Sequence, residues 1–196
     1  IVFFYDARNG DLLDLYQPSS VDDTDAFGTS IDIEGDIAVI GASRADGAQA
    51  GTGAAFVVDL SDPTDPQQLS TLAPRDARFS DNAGAAVAID GDLVLVGAPN
   101  RGGVGAAYLF DISDPTMPVE VAKITPADGE VAQDFGFAVA MDDGVAVIGS
   151  PRRDEGGMSN AGAAYLFDVS DPMNPVEVQK LLDPAGQASD RLGGSV

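Results

Sequence analysis

The chain has 196 residues, enough for one ordinary domain with a hydrophobic core, and 32 acidic against 10 basic residues give it a formal net charge of −22. This charge argues against a nucleic-acid partner, and the absence of Cys and His removes disulfides, thiol chemistry and the commonest general base. No apolar run reaches the length of a membrane span, so we expect no membrane insertion by this segment.

Short apolar stretches separated by Gly, Asp and Pro predict β-strands from the first residue onward. Residues 1–17 predict two strands joined by a turn that contains Asn9-Gly10. Residues 26–73 predict four more: a half-buried strand with Ile31 and Ile33 on one face, a fully buried strand at 37–40, a third at 54–58 and a more polar outer strand at 67–72.

The same four-stranded unit recurs at 82–124 and 134–182, and 190–196 predicts the first strand of a further copy. The opening glycines, at 28, 84, 136 and 193, lie roughly 55 residues apart. Four antiparallel strands in each repeat predict an all-β fold, a β-propeller, which we favour over a β-solenoid because of the hairpin rhythm. Small residues open each first strand, where we expect them to line a crowded central channel: Gly28, Ser30, Gly84, Ala86, Gly136 and Ala138.

Three spaced motifs resemble the FG-GAP repeat family. In the first copy they are the segments beginning at Phe27-Gly28, at Gly35-Asp36 and at Gly53-Ala54, and the second copy contains Gly97-Ala98-Pro99. The resemblance implies a propeller like the seven-bladed head of integrin α subunits and related bacterial surface and secreted propellers. About three and a half blades of such a ring would then be present. Because the chain begins at Ile1 in mid-pattern, we expect the remaining blades of the same parent protein as its partners.

A second, local resemblance concerns the turn before the outer strand. Residues 110–115 with Pro118-Val119, and 167–172 with Pro175-Val176, are similar to the LVIVD-type repeats of bacterial extracellular propellers. Both resemblances imply an extracellular or cell-surface location.

Calcium remains open as a cofactor, and the metal ligands are unknown. Integrin-type repeats often carry a calcium loop between the first and second strands, whereas this chain has only short Asp- and Gly-rich connections at 32–36, 90–92 and 142–144. Calcium requires six to eight oxygens, which a two-residue turn does not supply alone, so tight hairpin turns are the simpler interpretation.

The loops between second and third strands, at 43–52, 100–104 and 152–160, differ among the copies while the strands around them hardly change. Variable loops on a constant scaffold are where binding specificity is usually placed. The candidate ligand-binding residues are the charged ones in these loops, although a solvated loop with local ion pairs would look the same. They are Arg44, Asp46, Arg101, Arg152, Arg153, Asp154 and Glu155.

Other recurring residues receive structural interpretations. An Asp just before each first strand (Asp25, Asp81, Asp134 and Asp190) is expected to accept backbone N–H bonds and fix the entry turn. The Ser-Asp-Pro sequences are expected to form hairpin turns. The aromatic residues Phe56, Tyr108 and Tyr165 are expected to pack between blades.

The leading functional hypothesis is an extracellular recognition or adhesion module that binds a protein or glycan through its inter-strand loops. One alternative is a structural subunit or spacer of a cell-surface layer or filament. A carboxylate-based, glycan-acting enzyme is the third, disfavoured because the repeated acids are explained by turns. We therefore expect no catalytic residues.

Overall fold

A computed structural model describes residues 1–128 and 134–196 of the chain. The described residues form strands and one short 3₁₀ turn at Arg101–Gly103, which confirms the all-β prediction. No helix among them is long and apolar enough to cross a membrane. The strands are β1 (Val2–Tyr5), β2 (Leu12–Tyr16), β3 (Phe27–Glu34), β4 (Ile37–Ala42), β5 (Ala54–Asp59), β6 (Gln67–Leu72), β7 (Ala86–Asp90), β8 (Leu93–Ala98), β9 (Ala106–Asp111), β10 (Val119–Ile124), β11 (Val139–Asp142), β12 (Val145–Ser150), β13 (Ala163–Asp168) and β14 (Val176–Leu181).

These strands form a two-stranded hairpin, β1–β2, followed by three four-stranded antiparallel sheets. We call β3–β6 blade 1, β7–β10 blade 2 and β11–β14 blade 3. The strands of each blade pair in chain order. The register between the third and fourth strands shifts once in every blade, between Val57 and Val58 in blade 1 and at equivalent positions in blades 2 and 3. Such a bulge increases the local twist of the outer strand.

The hydrophobic core lies between consecutive sheets. One buried cluster joins Val39 and Val57 of blade 1 to Val94 and Tyr108 of blade 2, and a second joins blades 2 and 3 around Tyr165. A third joins the hairpin to blade 1 around Phe56. The predicted inter-blade packing of the three aromatic residues is therefore confirmed.

The first strands differ in how far their apolar side chains are covered. In β7, Val87 and Ile89 are buried in the cluster between blades 1 and 2. The equivalent Ile31 and Ile33 of β3 are 43% and 51% exposed, because only a two-stranded sheet precedes blade 1. The half-buried face of β3 is thus not the predicted isoleucine face. It carries Asp32, whose Oδ2 accepts the Ile89 N–H at 2.9 Å.

The glycines that open the blades make close backbone contacts with the blade before. A Cβ on Gly41, near the end of β4, would lie 2.0 Å from the carbonyl oxygen of Gly84 in the next blade. A Cβ on Gly97 would lie 2.1 Å from the oxygen of Gly136, and one on Gly149 would lie 2.0 Å from that of Gly193. Each blade therefore approaches the next through a pair of glycines at contact distance of the two backbones.

Residues 190–196 contain one isolated bridge, from Leu192 to Gly162, where the sequence predicts a strand. In blades 2 and 3 the first strand is held by the second strand of its own blade, β8 or β12. Leu192 has only the bridge to the preceding blade, which also occurs as Gly53 with Ala83 and as Gly105 with Phe135.

Candidate ligand-binding face

The variable loops and the connections between blades lie at one end of the sheets. In an antiparallel blade the first strand begins where the second strand ends and the third begins. The loops at 43–53, 99–105 and 151–162 therefore lie beside the segments that lead into β3, β7 and β11. We call this end the loop face. Tight hairpin turns such as Gly35-Asp36 occupy the opposite end.

Two adjoining hollows open on the loop face. The larger one, about 440 Å³, is lined by polar side chains from all three blades and the segments between them, including Thr29, Ser43, Asn82, Asn100, Asp134 and Arg152. The smaller one, about 220 Å³, is lined by Asp134, Phe137, Pro151, Arg152, Arg191 and Gly194. Asp134, Phe137 and Arg152 line both hollows, so together they form a single concave surface beside the first strands.

Asp134 and Arg152 form the ion pair at the centre of this surface. The Arg152 Nε lies 3.1 Å from Asp134 Oδ2; the arginine side chain is 62% exposed, and the aspartate side chain is almost covered. Burial raises the pKa of Asp134, and the charge of Arg152 acts in the opposite direction. The pair leaves much of the guanidinium accessible for a ligand.

Asp134 does not occupy the position that the sequence analysis gave it. The sequence groups it with Asp25, Asp81 and Asp190. In those three, as predicted, the carboxylate accepts a hydrogen bond from the backbone N–H of the residue three positions before it, at 2.8, 2.7 and 2.5 Å. Asp134 lies one position later, in a left-handed conformation with a φ of 53°, as Asn82 does in the preceding blade. The Asp134 carboxylate therefore lines the hollows and does not cap the entry turn.

The predicted arginines fall into two structurally distinct classes. Arg44 and Arg152 directly follow Ser43 and Pro151 at equivalent positions, and both are exposed at the rims of hollows. Arg44 lines a separate hollow, which Asp46 and Phe79 also line. Arg101 and Arg153 come one residue later in their loops, and their side chains are only 10% and 5% exposed.

Arg101 belongs to a cluster that fastens the segment after blade 1 to blade 2. Its guanidinium lies 2.8 Å from Asp76 Oδ2, which also receives Lys123 Nζ at 2.7 Å, and the Tyr108 hydroxyl donates to Asp76 Oδ1 at 2.7 Å. Burial by itself would raise the pKa of Asp76, but these three hydrogen bonds outweigh it and hold the pKa far below its usual range. Burial is also the main cause that raises the pKa of the Tyr108 hydroxyl.

An equivalent cluster fastens the next segment to blade 3. Arg153 lies 2.9 Å from Asp128 Oδ2 and 3.1 Å from Glu155 Oε2, the Tyr165 hydroxyl donates to Asp128 at 3.2 Å, and Lys180 pairs with both acids. Hydrogen bonds from Lys180 and Arg153 lower the pKa of Glu155. Arg153 and Glu155 are thus engaged within the chain.

Blade 1 lacks every member of this cluster. Ala45, Phe56 and Thr71 stand where blade 2 has Arg101, Tyr108 and Lys123, and Ser20 stands where Asp76 would be. All four positions differ together. Loss of the aspartate alone would leave the arginine and the lysine without their charge partner. Blades 2 and 3 carry the Arg, Tyr, Lys and Asp of the cluster, and blade 1 carries none of them.

The remaining predicted acids have local partners in their loops. Asp46 Oδ1 accepts the Gly51 N–H at 2.8 Å, and Asp154 Oδ1 accepts the Asn160 N–H at 2.8 Å. Both side chains belong to exposed residues. The predicted Ser-Asp-Pro turns are confirmed in the same way, since Asp62 and Asp114 each accept a hydroxyl and an N–H from the threonine two residues on.

The acids of the first hairpin turns contact the next blade. Glu34 Oε2 accepts the Gly91 N–H at 2.6 Å, and Asp32 accepts that of Ile89. Across residues 1–128 and 134–196, the structure contains no group of three or more acids arranged to hold a metal ion.

Sequence reasoning missed Phe137, Arg191, Asn82 and Asn100 as members of the site. The available signal was the alignment of the copies: Asn100 is the repeat equivalent of Arg44 and Arg152, and Arg191 is that of Asn82 and Asp134. The signal becomes visible only when the loops and the segments beside them are aligned residue by residue among the three copies.

Comparison with protein families identifies what these sheets are. A model of the FG-GAP repeat matches residues 17–58, 66–110 and 118–167, which is most of the chain. The chain belongs to the FG-GAP repeat family. Comparison with curated proteins found no match. Each matched FG-GAP segment includes the close-contact glycines and the first three strands of a blade, and the second and third also include the fourth strand of the blade before.

Proposed function

We propose that this FG-GAP propeller module recognises a protein or glycan partner outside the cell or at its surface, through the loop face. The observation that carries the proposal is the concave surface formed by the two adjoining hollows, with an accessible guanidinium at its centre. Concave sites with a few convergent polar groups are where small ligands and side chains bind.

Rigid support distinguishes this surface from an ordinary loop region. The Phe135 N–H donates to the Val104 carbonyl at 3.0 Å, and the Gly136 N–H donates to the Gly149 carbonyl at 3.0 Å. The backbone directly after Asp134 is therefore fixed by the loop before β9 and by β12. The Asp76 and Asp128 clusters hold the connecting segments from the outside. A site on rigid elements loses less conformational entropy when a partner binds.

The test is binding of the labelled chain to an array of immobilised glycans and extracellular-matrix proteins. We expect at least one ligand on the array whose signal is lost in an Arg152→Ala, Asn100→Ala double variant. The control is Asp36→Ala, an exposed acid on the opposite end of the sheets, which should bind as the parent chain does.

Both variants must first show the melting temperature of the parent chain. A ligand that binds the double variant and the parent equally would reject the loop face as the recognition surface. Absence of any ligand, together with ordered assembly of the chain at a surface, would instead favour a structural spacer.

A further inference from the structure

The smaller hollow brings two arginine side chains together on a strongly acidic chain. Arg152 and Arg191 both line it, although the chain has only 10 basic residues against 32 acidic ones. Among the described residues, Asp134 is the only acid in the lining. Two guanidinium groups against one carboxylate give the hollow a local excess of one positive charge.

The backbone fixes where both arginines stand. The Arg191 N–H donates to the Asn160 carbonyl at 3.1 Å, and the Leu192 N–H donates to Ala161 at 3.0 Å. Arg152 leaves the end of β12 directly after Pro151. Arg191 is therefore attached to the same loop of blade 3 that carries Arg152.

The two arginines also differ in how they are engaged. Arg152 shares its charge with Asp134 at 3.1 Å. In the part of the chain that the structure describes, no acid forms an ion pair with Arg191. Arg191 has no ion pair among the described residues, and Arg152 has one, with Asp134. Together the two guanidinium groups offer several N–H donors to an incoming anion.

The rest of the lining is apolar. Phe137 is 45% exposed, and Pro151 and Gly194 add no charged or hydroxyl group. The volume of about 220 Å³ equals about seven water molecules, which is room for one ring rather than for an extended segment. An aromatic surface next to an anion-binding pair fits a ligand with an apolar ring face and a carboxylate on the ring.

We propose that the smaller hollow binds a carboxylated sugar residue, such as the uronic acid unit of a glycan, with the carboxylate on Arg152 and Arg191 and the ring against Phe137. This inference rests on the proposed recognition function and names the class of ligand. An acidic peptide would satisfy the arginines equally well, but a short aspartate or glutamate side chain has no ring to cover Phe137.

The binding test uses the whole chain and titration calorimetry with tetragalacturonate. The neutral control is the fully methyl-esterified form of the same tetrasaccharide, and tetraglutamate represents the acidic peptide. We expect tetragalacturonate to bind at least tenfold more tightly than either, with an affinity that falls as salt is added because the contacts are partly exposed.

Matched variants locate the site. Arg152→Ala and Arg191→Ala should each weaken tetragalacturonate binding about tenfold, as expected for loss of one charge-assisted contact. Arg44→Ala removes the equivalent arginine of blade 1, outside this hollow, and should leave binding unchanged. Asp134→Asn should strengthen binding, since it releases Arg152, and the fold should tolerate it because Asn82 occupies this position in blade 2.

The outcomes separate this inference from the proposed function. If tetragalacturonate and its methyl ester bound equally, and variants of the loop face abolished both, recognition by the loop face would stand. The proposed role of the sugar carboxylate would be wrong. Preference for tetraglutamate would overturn the sugar. Binding of tetragalacturonate that Arg44→Ala weakens as much as Arg191→Ala would overturn the placement, because a general surface charge would then explain it.

Discussion

Replacing Gly97 with alanine should destabilise the chain only through a steric clash between blades 2 and 3. Gly97 has an ordinary backbone conformation, but an added Cβ would lie 2.1 Å from the Gly136 carbonyl oxygen, more than an ångström inside ordinary contact. Blades 2 and 3 would have to move apart along the interface around Tyr165. Overpacking of this kind costs about 1–3 kcal/mol and sometimes more. We expect about 3 kcal/mol here, because the clashing atom is backbone and has no rotamer to change.

The matched control is Gly91→Ala, in the turn between β7 and β8. A Cβ there would meet nothing within 4 Å, but the φ of 57° is unfavourable for alanine. That strain costs about 1–2 kcal/mol, partly offset by about 0.4–1 kcal/mol because alanine also restricts the unfolded chain. The net cost should be about 1 kcal/mol.

Thermal unfolding followed by circular dichroism distinguishes the two variants. For a chain of this size 1 kcal/mol shifts the melting temperature by about 2–4 °C, so Gly97→Ala should melt about 6–12 °C below the parent and Gly91→Ala only a few degrees below it. If the two variants melted at the same temperature, the close approach of Gly97 to Gly136 would not be what limits the distance between blades 2 and 3.

Three further outcomes can be measured on the same chain. Tyr108→Phe should lower the free energy of unfolding by about 1–2 kcal/mol, measured by denaturant unfolding, because Asp76 loses a hydrogen bond while the buried ring remains. An unchanged free energy would mean that the hydroxyl does not stabilise the fold. The pKa of Asp76 is lowered in the folded chain, so its carboxylate stabilises the fold above the unfolded pKa near 4, and this stabilisation is lost as the pH falls below that value. The difference in unfolding free energy between the parent and Asp76→Asn should therefore shrink from pH 7 to pH 3. A constant difference would contradict the ion cluster. Asp32 and Glu34 hold N–H groups of the next blade, so melting with calcium should match melting with a chelator; a calcium-dependent rise that Asp32→Ala abolishes would identify a metal site instead.

The sequence was sufficient to predict the strands because their pattern depends on neighbours within one repeat. The continuous apolar run of β4 matches five consecutive buried residues, and all three copies of the repeat contain such an apolar run. The close approach between blades was not predicted, because the backbone that excludes a Cβ at Gly41 lies 43 residues further along the chain, at Gly84. No local pattern reports such an approach.

The site was predicted less completely because a shift of one residue reverses the direction of a loop side chain. Arg152 and Arg153 are adjacent in sequence, yet one lines the hollows and the other is buried beside Asp128. Composition alone assigned both to a charged loop. The assignment of Asp134 failed in the same way, since its carboxylate lies one position beyond the entry-turn acid. Aligning the copies residue by residue separates these roles.

The matched family repeat is offset from the sheet by one strand, because each repeat begins with the outer strand of the preceding blade. The matched segment 66–110 begins with β6, which belongs to blade 1, and continues through β7, β8 and β9 of blade 2. Deleting residues 66–117 from the gene would join the turn after β5 directly to β10, and the two would again pair as third and fourth strands of one sheet. Duplicating the same stretch would add one complete blade. Gain or loss of a genetic unit thus leaves no strand unmatched, so the array can change length while every sheet keeps its four strands.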